Sequence, residues 1–130
     1  MKPSISNSVI LVYITLLLSG CSGIATRIDP NGTGYKEAGK ASFYAIKFQS
    51  GKTSSGEIFD QSAYTAAHKK LPFGTKVKVT NVRNGKSVIV RINDRGPFVR
   101  GRIIDLSRSA FSKIGNTSAG VLDVKLEVVD

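Results

Sequence analysis

Thr75-Lys76-Val77-Lys78-Val79-Thr80-Asn81-Val82-Arg83-Asn84-Gly85-Lys86-Ser87-Val88-Ile89-Val90-Arg91-Ile92-Asn93 holds two alternating runs with an Asn-Gly pair between them. In the first, Val77 and Val79 alternate with Lys76 and Lys78; in the second, Val88, Val90 and Ile92 alternate with Ile89 and Arg91. A period of two places the valines on one face of a strand and the cations on the other. Asn-Gly is the strongest short-range hairpin signal, because both residues tolerate positive φ. The stretch predicts two antiparallel strands.

Outward from this hairpin the pattern stays β. Residues 41–45 form a short aromatic run. In the last segment, Leu122, Val124, Leu126 and Val128 share one face, opposite Asp123, Lys125 and Glu127. Between the hairpin and this strand, Ser107 is placed to cap one short helix carrying Ala110, Phe111 and Ile114 and ended by Gly115. About ninety residues with five or six short strands and one or two short helices form most simply a small closed barrel, since closure removes sheet edges. A chain of 130 residues has room for one such domain, and residues 39–130 are expected to be it.

The first fifth of the chain reads differently. Lys2 precedes an apolar run over residues 9–18, which ends in Leu18-Ser19-Gly20-Cys21. Such a run is shorter than the roughly 20 residues a membrane-crossing helix needs, and it has the outline of a secretory signal. Leu-Ser-Gly-Cys resembles the bacterial lipobox, in which the cysteine becomes the first mature residue and carries acyl chains. Residues 1–20 are therefore expected to be a lipoprotein signal peptide, and Cys21 a lipid anchor. Ser22, in place of an aspartate, resembles the pattern of Gram-negative lipoproteins held at the outer membrane, which is the expected location over the inner. Residues 21–38, rich in Ser, Gly, Thr, Asp, Pro and Asn, read as a flexible tether. Its 18 residues reach about 60 Å fully extended.

Charge acquires meaning in that context. Nineteen Lys and Arg against nine Asp and Glu give +10, which suits nucleic acid, anionic lipid or an anionic polymer. An exported, lipid-tethered protein rarely meets nucleic acid, so envelope polymers and lipid head groups become the expected partners. One Cys and one His exclude an intramolecular disulfide and any four-ligand zinc site built from those residues. No Ser-His-Asp set, phosphate-cradling glycine loop or metal cluster stands out, and no cofactor is expected. Carboxylates and one histidine remain. Asp94 ends a strand at Asn93-Asp94-Arg95-Gly96-Pro97-Phe98, where the turn could hold it for catalysis or as a structural ion pair with Arg95. Glu57 and His68 lie in polar loops, where solvated and structural roles are equally open. Asp105 precedes the helix and reads as orienting its start. Asp123, Glu127 and Asp130 read as solvated.

Five segments carry a resemblance: Gly39-Lys40-Ala41-Ser42-Phe43-Tyr44-Ala45, residues 53–59, residues 65–81, Asn93-Asp94-Arg95-Gly96-Pro97-Phe98, and residues 102–107. In this order they resemble the rare lipoprotein A family over residues 39–130. The resemblance implies a six-stranded double-psi β-barrel, shared with expansins, and lytic transglycosylation of peptidoglycan glycan strands, preferably stripped of stem peptides. By matching position it implies that the family's catalytic acids fall on Glu57 and Asp94, and its active-site histidine on His68. Asp94 is then expected as the general acid and base with Glu57 as the second carboxylate, or the two exchanged. Tyr44, Phe59, Phe73, Arg95 and Phe98 are expected to bind glycan. Two departures stand out. Phe43 occupies a position where the family commonly has Trp, and the chain ends at Asp130 without the C-terminal SPOR domain that directs many members to the septum. The protein is expected to be a monomer, and a non-catalytic glycan-binding module of the expansin kind is the alternative reading.

Overall fold

The computed structural model describes residues 34–129. The expected signal peptide, the Cys21 anchor, residues 21–33 of the tether and Asp130 lie outside the described residues. Six strands close into a barrel: β1 (Lys36–Phe43), β2 (Thr65–Ala67), β3 (Lys76–Asn81), β4 (Ser87–Asp94), β5 (Arg102–Leu106) and β6 (Leu122–Val129), in the spatial order β1-β5-β2-β4-β3-β6. One helix, α1 (Arg108–Ile114), and two 3-10 turns complete it.

The expected hairpin is the β3–β4 pair, with Val77 opposite Val90 and Val79 opposite Val88. All four point into the core, as do Ile92, Val124 and Leu126. Burial of each such side chain contributes about 1.5–3 kcal/mol. The turn uses only the glycine's freedom: Gly85 has φ 76° and donates its N–H to Asn81 O at 2.9 Å. β6 follows its alternation and pairs antiparallel with both β3 and β1, so one amphipathic strand covers two neighbours.

Two differences from the sequence reading concern β1. The barrel starts at Lys36, so residues assigned to the tether belong to the sheet, and the strand expected over 41–45 ends at Phe43. In its first half β1 pairs with β6 and exposes Lys36, Ala38 and Lys40 to water. Tyr35, just before the strand, supplies the buried contact there. That stretch has the polar composition of a linker because its strand face is solvated, and composition alone therefore misplaces the boundary.

Ser107 caps α1 as expected, its Oγ accepting from Ala110 N at 3.3 Å. Ala110, Phe111 and Ile114 are buried. At the other end, Asn81 and Asn84 donate to Ile114 O at 2.8 and 3.0 Å, so the β3–β4 hairpin caps the helix C-terminus. Gly115 stops the helix with extended backbone, and a Cβ there would lie 2.7 Å from Leu122 Cδ1.

Parallel pairing places the chemistry. β1 runs parallel to β5 and β2 parallel to β4, while β2 and β5 are antiparallel. In this register Ala67 lies opposite Asp94 on one side and Asp105 on the other, and Ser42 lies opposite Asp105. Four adjacent strands thus carry Ser42, Asp105, Ala67 and Asp94 in one row.

Candidate active site

Asp94 is the last residue of β4, where the ladder ends and the turn begins. Its Oδ1 accepts from the Ser54 N–H at 2.8 Å and the Arg95 N–H at 2.9 Å. Its Oδ2 accepts from the Tyr44 hydroxyl at 2.5 Å. Burial pushes its pKa up, but the Tyr44 hydroxyl and the Ser54 and Arg95 donors outweigh burial and hold it below the ordinary aspartate value. Tyr44 is fixed from behind by stacking on buried Phe59, ring centroids 4.3 Å apart and planes 18° from parallel. Burial and the neighbouring Asp94 drive the Tyr44 pKa far up. It is a committed donor.

Asp105 has the opposite tendency. Burial raises its pKa, against the pull of the Ser42 hydroxyl that donates to its Oδ1 and of the Arg102 charge; the Asp94 charge raises it further. One row therefore holds one carboxyl whose pKa is pulled below the ordinary aspartate value and one whose pKa is pushed above it. Two titratable groups driven apart by their surroundings are the mark of an acid-base pair. A groove of about 510 Å³ opens onto both, walled by Tyr44, Phe48, Phe98 and Arg102. Phe98 is 80% exposed and Phe48 48%, so two bare aromatic faces stand beside two acids. Phe43 lines the same groove and packs on Phe111 at 4.6 Å.

The other expected residues divide. Arg95 lines the groove, but its guanidinium is turned away, donating to Leu71 O at 2.9 Å and His68 O at 3.2 Å while lying 4.1 Å over the Phe73 ring. Phe73 thus braces Arg95 and is not among the groove walls, and Phe59 lies behind Tyr44. Glu57 is also outside the groove walls. It pairs with the Arg91 guanidinium and accepts from Asn93 Nδ2 at 3.2 Å, and these two donors, Arg91 first, hold its pKa down. The Glu57 carbonyl accepts from Thr53 N at 2.8 Å, and the Ser55 N–H reaches Asn93 O at 3.2 Å. This loop delivers the Ser54 amide to Asp94, so Glu57 reaches the site through the loop it fastens to β4.

His68 is 2% exposed and serves the scaffold. Its Nδ1 accepts the N–H groups of Lys70 and Leu71 at 3.0 and 3.1 Å, which leaves Nε2 to carry the proton toward Glu37 Oε1 at 2.8 Å. Its backbone N–H donates to Asp94 O at 3.1 Å, so it registers the main chain of Asp94 and not its carboxylate. Asp105 is the residue that the sequence reading took to orient the start of the helix. Its place beside Asp94 comes from pairing on both edges of β2, which no spacing along the chain exposes. Among the described residues no group of three or more His, Cys, Asp or Glu gathers as metal ligands.

Comparison with known proteins agrees with this architecture. A family model described as lytic transglycolase matches residues 36–126. A curated endolytic peptidoglycan transglycosylase RlpA of Vibrio cholerae is 55% identical over 107 residues, covering 82% of this chain and 41% of the relative. Its namesake in Pasteurella multocida is 54% identical over 104 residues, covering 80% and 35% respectively. The chain thus spans about two fifths of the length of these relatives. Among solved structures, the Streptomyces papain inhibitor aligns with TM-score 0.61 at 26% identity over 75% of this chain and 97% of its own. An expansin of Clavibacter michiganensis aligns with TM-score 0.61 at 21% identity over 74% of this chain and 51% of its own, a likeness of fold. With the family model matched from β1 into β6 and the barrel closed as that family requires, the chain belongs to the lytic transglycolase family of double-psi β-barrels.

Proposed function

We propose that the chain is a peptidoglycan lytic transglycosylase cutting the β-1,4 bond between N-acetylmuramic acid and N-acetylglucosamine, in glycan stripped of stem peptides. The observation that carries the reading is the Asp94–Asp105 row with its opposed pKa tendencies at the foot of an aromatic groove. The relatives' names point to peptidoglycan as the substrate.

The opposed tendencies give each acid a role. Asp105, biased toward its protonated form, donates its proton to the glycosidic oxygen as the bond from muramyl C1 breaks. Asp94, kept anionic by Tyr44, Ser54 and Arg95, stabilises positive charge developing at C1 and the ring oxygen. The Asp105 carboxylate then takes the proton of the muramyl 6-hydroxyl as O6 closes on C1. One bond to C1 breaks, another forms, and Asp105 regains its proton. No water enters, so the spacing that separates retaining from inverting hydrolases does not apply. This moves the acid from Asp94, expected from the sequence, to Asp105, and makes Asp94 and not Glu57 the second carboxylate. Glu57 and His68 act as positioning residues. Phe98, Phe48 and Tyr44 offer faces for the sugar rings. Removing stem peptides bares one lactyl carboxylate per disaccharide, and Arg102 in the groove wall suits that polymer.

The protein works as a monomer held by acylated Cys21 at the periplasmic face of the envelope, at the outer membrane. Mass spectrometry of products from denuded and intact sacculi tests the whole reading. 1,6-anhydro ends from denuded glycan, lost in Asp105→Asn, are expected. Sedimentation with glycan and no products would instead establish the non-catalytic module.

A further inference from the structure

The outward face of β1, β6 and β3 is a lattice of lysines. Register sets Lys36 opposite Glu127 and Glu127 opposite Lys78, and one step along the strands sets Ala38, Lys125 and Thr80 side by side. Lys76 stands on the same face of β3, and Lys36, Lys76, Lys78 and Lys125 are all exposed. The acids on this face are already occupied: Asp123 lies 2.7 Å from Lys40 and 3.5 Å from Arg83, and Glu127 3.9 Å from Lys36. Among the described residues, Lys76, Lys78 and Lys125 have no carboxylate partner. A groove of about 450 Å³ is lined by Lys36, Lys78 and Lys125 together with Glu37 and Glu127, of which Glu37 is taken up by Tyr35 and His68.

We propose that this face docks on an anionic phospholipid surface, the leaflet that holds the Cys21 acyl chains, and so turns the acid groove away from it. The inference rests on reading Cys21 as the lipid anchor. Three observations favour lipid over glycan as the occupant. Residues 22–33 separate that anchor from the described barrel, whose first strand opens in the lattice at Lys36, and 12 residues span at most about 40 Å. The face is therefore held within reach of the bilayer at high effective concentration. Next, none of the exposed aromatics Phe48, Tyr64, Phe73 and Phe98 belongs to β1, β3 or β6, so these strands offer no exposed aromatic platform on which sugars stack. Its cations are lysines, mobile point charges suited to a fluid array of single phosphates. Finally, β1 starts in the lattice at Lys36 and ends at the groove with Phe43, a rise of about 23 Å. Docking thus leaves the far end of the same strand free for the wall.

Residues 22–130 contain every buried residue of the barrel and test the surface without the acyl chains or the signal sequence. Their sedimentation is measured with vesicles of phosphatidylethanolamine and phosphatidylglycerol, and with phosphatidylcholine vesicles. Binding to the anionic vesicles alone, weakening with salt, is expected. Each lysine near an anionic surface is worth about fivefold in partitioning, so Lys76→Gln, Lys78→Gln and Lys125→Gln together lower it on the order of a hundredfold. Lys69→Gln, Lys70→Gln and Lys113→Gln, off the face, change it far less. Equal losses in the two triple variants, or binding indifferent to lipid charge, overturn the proposal. So does a lattice variant that keeps vesicle binding but no longer sediments with denuded sacculi, which assigns the face to glycan. Anhydro-product formation on soluble denuded glycan is expected unchanged in the lattice variant, which separates this surface from the groove chemistry.

Discussion

Tyr44→Phe removes one atom and keeps everything behind it. The phenyl ring retains its stack on Phe59 at 4.3 Å, while Asp94 Oδ2 loses the hydroxyl donor at 2.5 Å and Oδ1 keeps the Ser54 and Arg95 amides. A hydrogen bond to a charged group contributes about 1.5–3 kcal/mol net, and groove water can replace part of it, so a loss near the lower end, about 1.5 kcal/mol, is expected at neutral pH. For a domain of this size that lowers Tm by roughly 6–12 °C. The pH dependence is the sharper test. Asp94's pKa is lowered in the folded state, so its contribution is present above the ordinary aspartate value of about 3.9 and is lost as pH falls through the folded value. Wild type and Tyr44→Phe are therefore separated at pH 7 and converge in acid. The measurement is thermal unfolding followed by circular dichroism across that range, with the Asp94 carboxyl titration read by NMR. A gap of constant size at every pH, or an Asp94 titration that does not move upward in the variant, would refute the reasoning.

Asp105→Asn should abolish anhydro-product formation yet raise Tm at pH 7, because burial lifts the Asp105 pKa and ionising it costs folding stability. That gain should vanish below the ordinary aspartate range, where Asp105 is protonated folded or unfolded; a lower Tm at pH 7 contradicts it. The same pair sets the pH profile of kcat: activity falls in acid as Asp94 protonates and in base as Asp105 ionises, and Tyr44→Phe shifts only the acid limb upward. Glu57→Gln should cost little stability, since its pairing with Arg91 is 42% exposed on both sides, but should lower kcat about ten- to a hundredfold by loosening the loop that holds Ser54 on Asp94. Stability unchanged and kcat unchanged together would remove its positioning role. His68→Ala removes a buried ring, leaves the Leu71 amide without its acceptor inside the fold and takes one of two donors from Glu37, and should destabilise by about 2–3 kcal/mol in urea unfolding.

The hairpin, β6 and α1 were legible in the sequence because each has one face in the core and one in water, and the alternation or cap records it directly. β1 was half legible. Its buried Ala41 and aromatic end stand out, but Lys36, Ala38 and Lys40 carry no apolar mark, so the barrel begins inside what reads as linker. β2 was the least legible element, since Thr65, Ala66 and Ala67 are buried throughout and show no alternation. That one strand decides the site. Asp94 could be singled out by the turn after it and by resemblance, whereas Asp105 becomes a partner only once both pair across Ala67. Glu57 and His68 were visible as chemistry-bearing types, yet their hydrogen bonds run to Arg91, Asn93, Glu37 and backbone amides, contacts that residue type does not announce.

The row of Ser42, Asp105, Ala67 and Asp94 also has a kinetic consequence. Ser42 and Asp105 are separated by 63 residues, and Tyr44 and Asp94 by 50. Contacts so distant along the chain form late, after the entropy of closing long loops has been overcome. The two acids therefore come together only as the barrel shuts. A chain still folding thus carries no assembled row of Asp94 and Asp105, which exists only in the closed barrel.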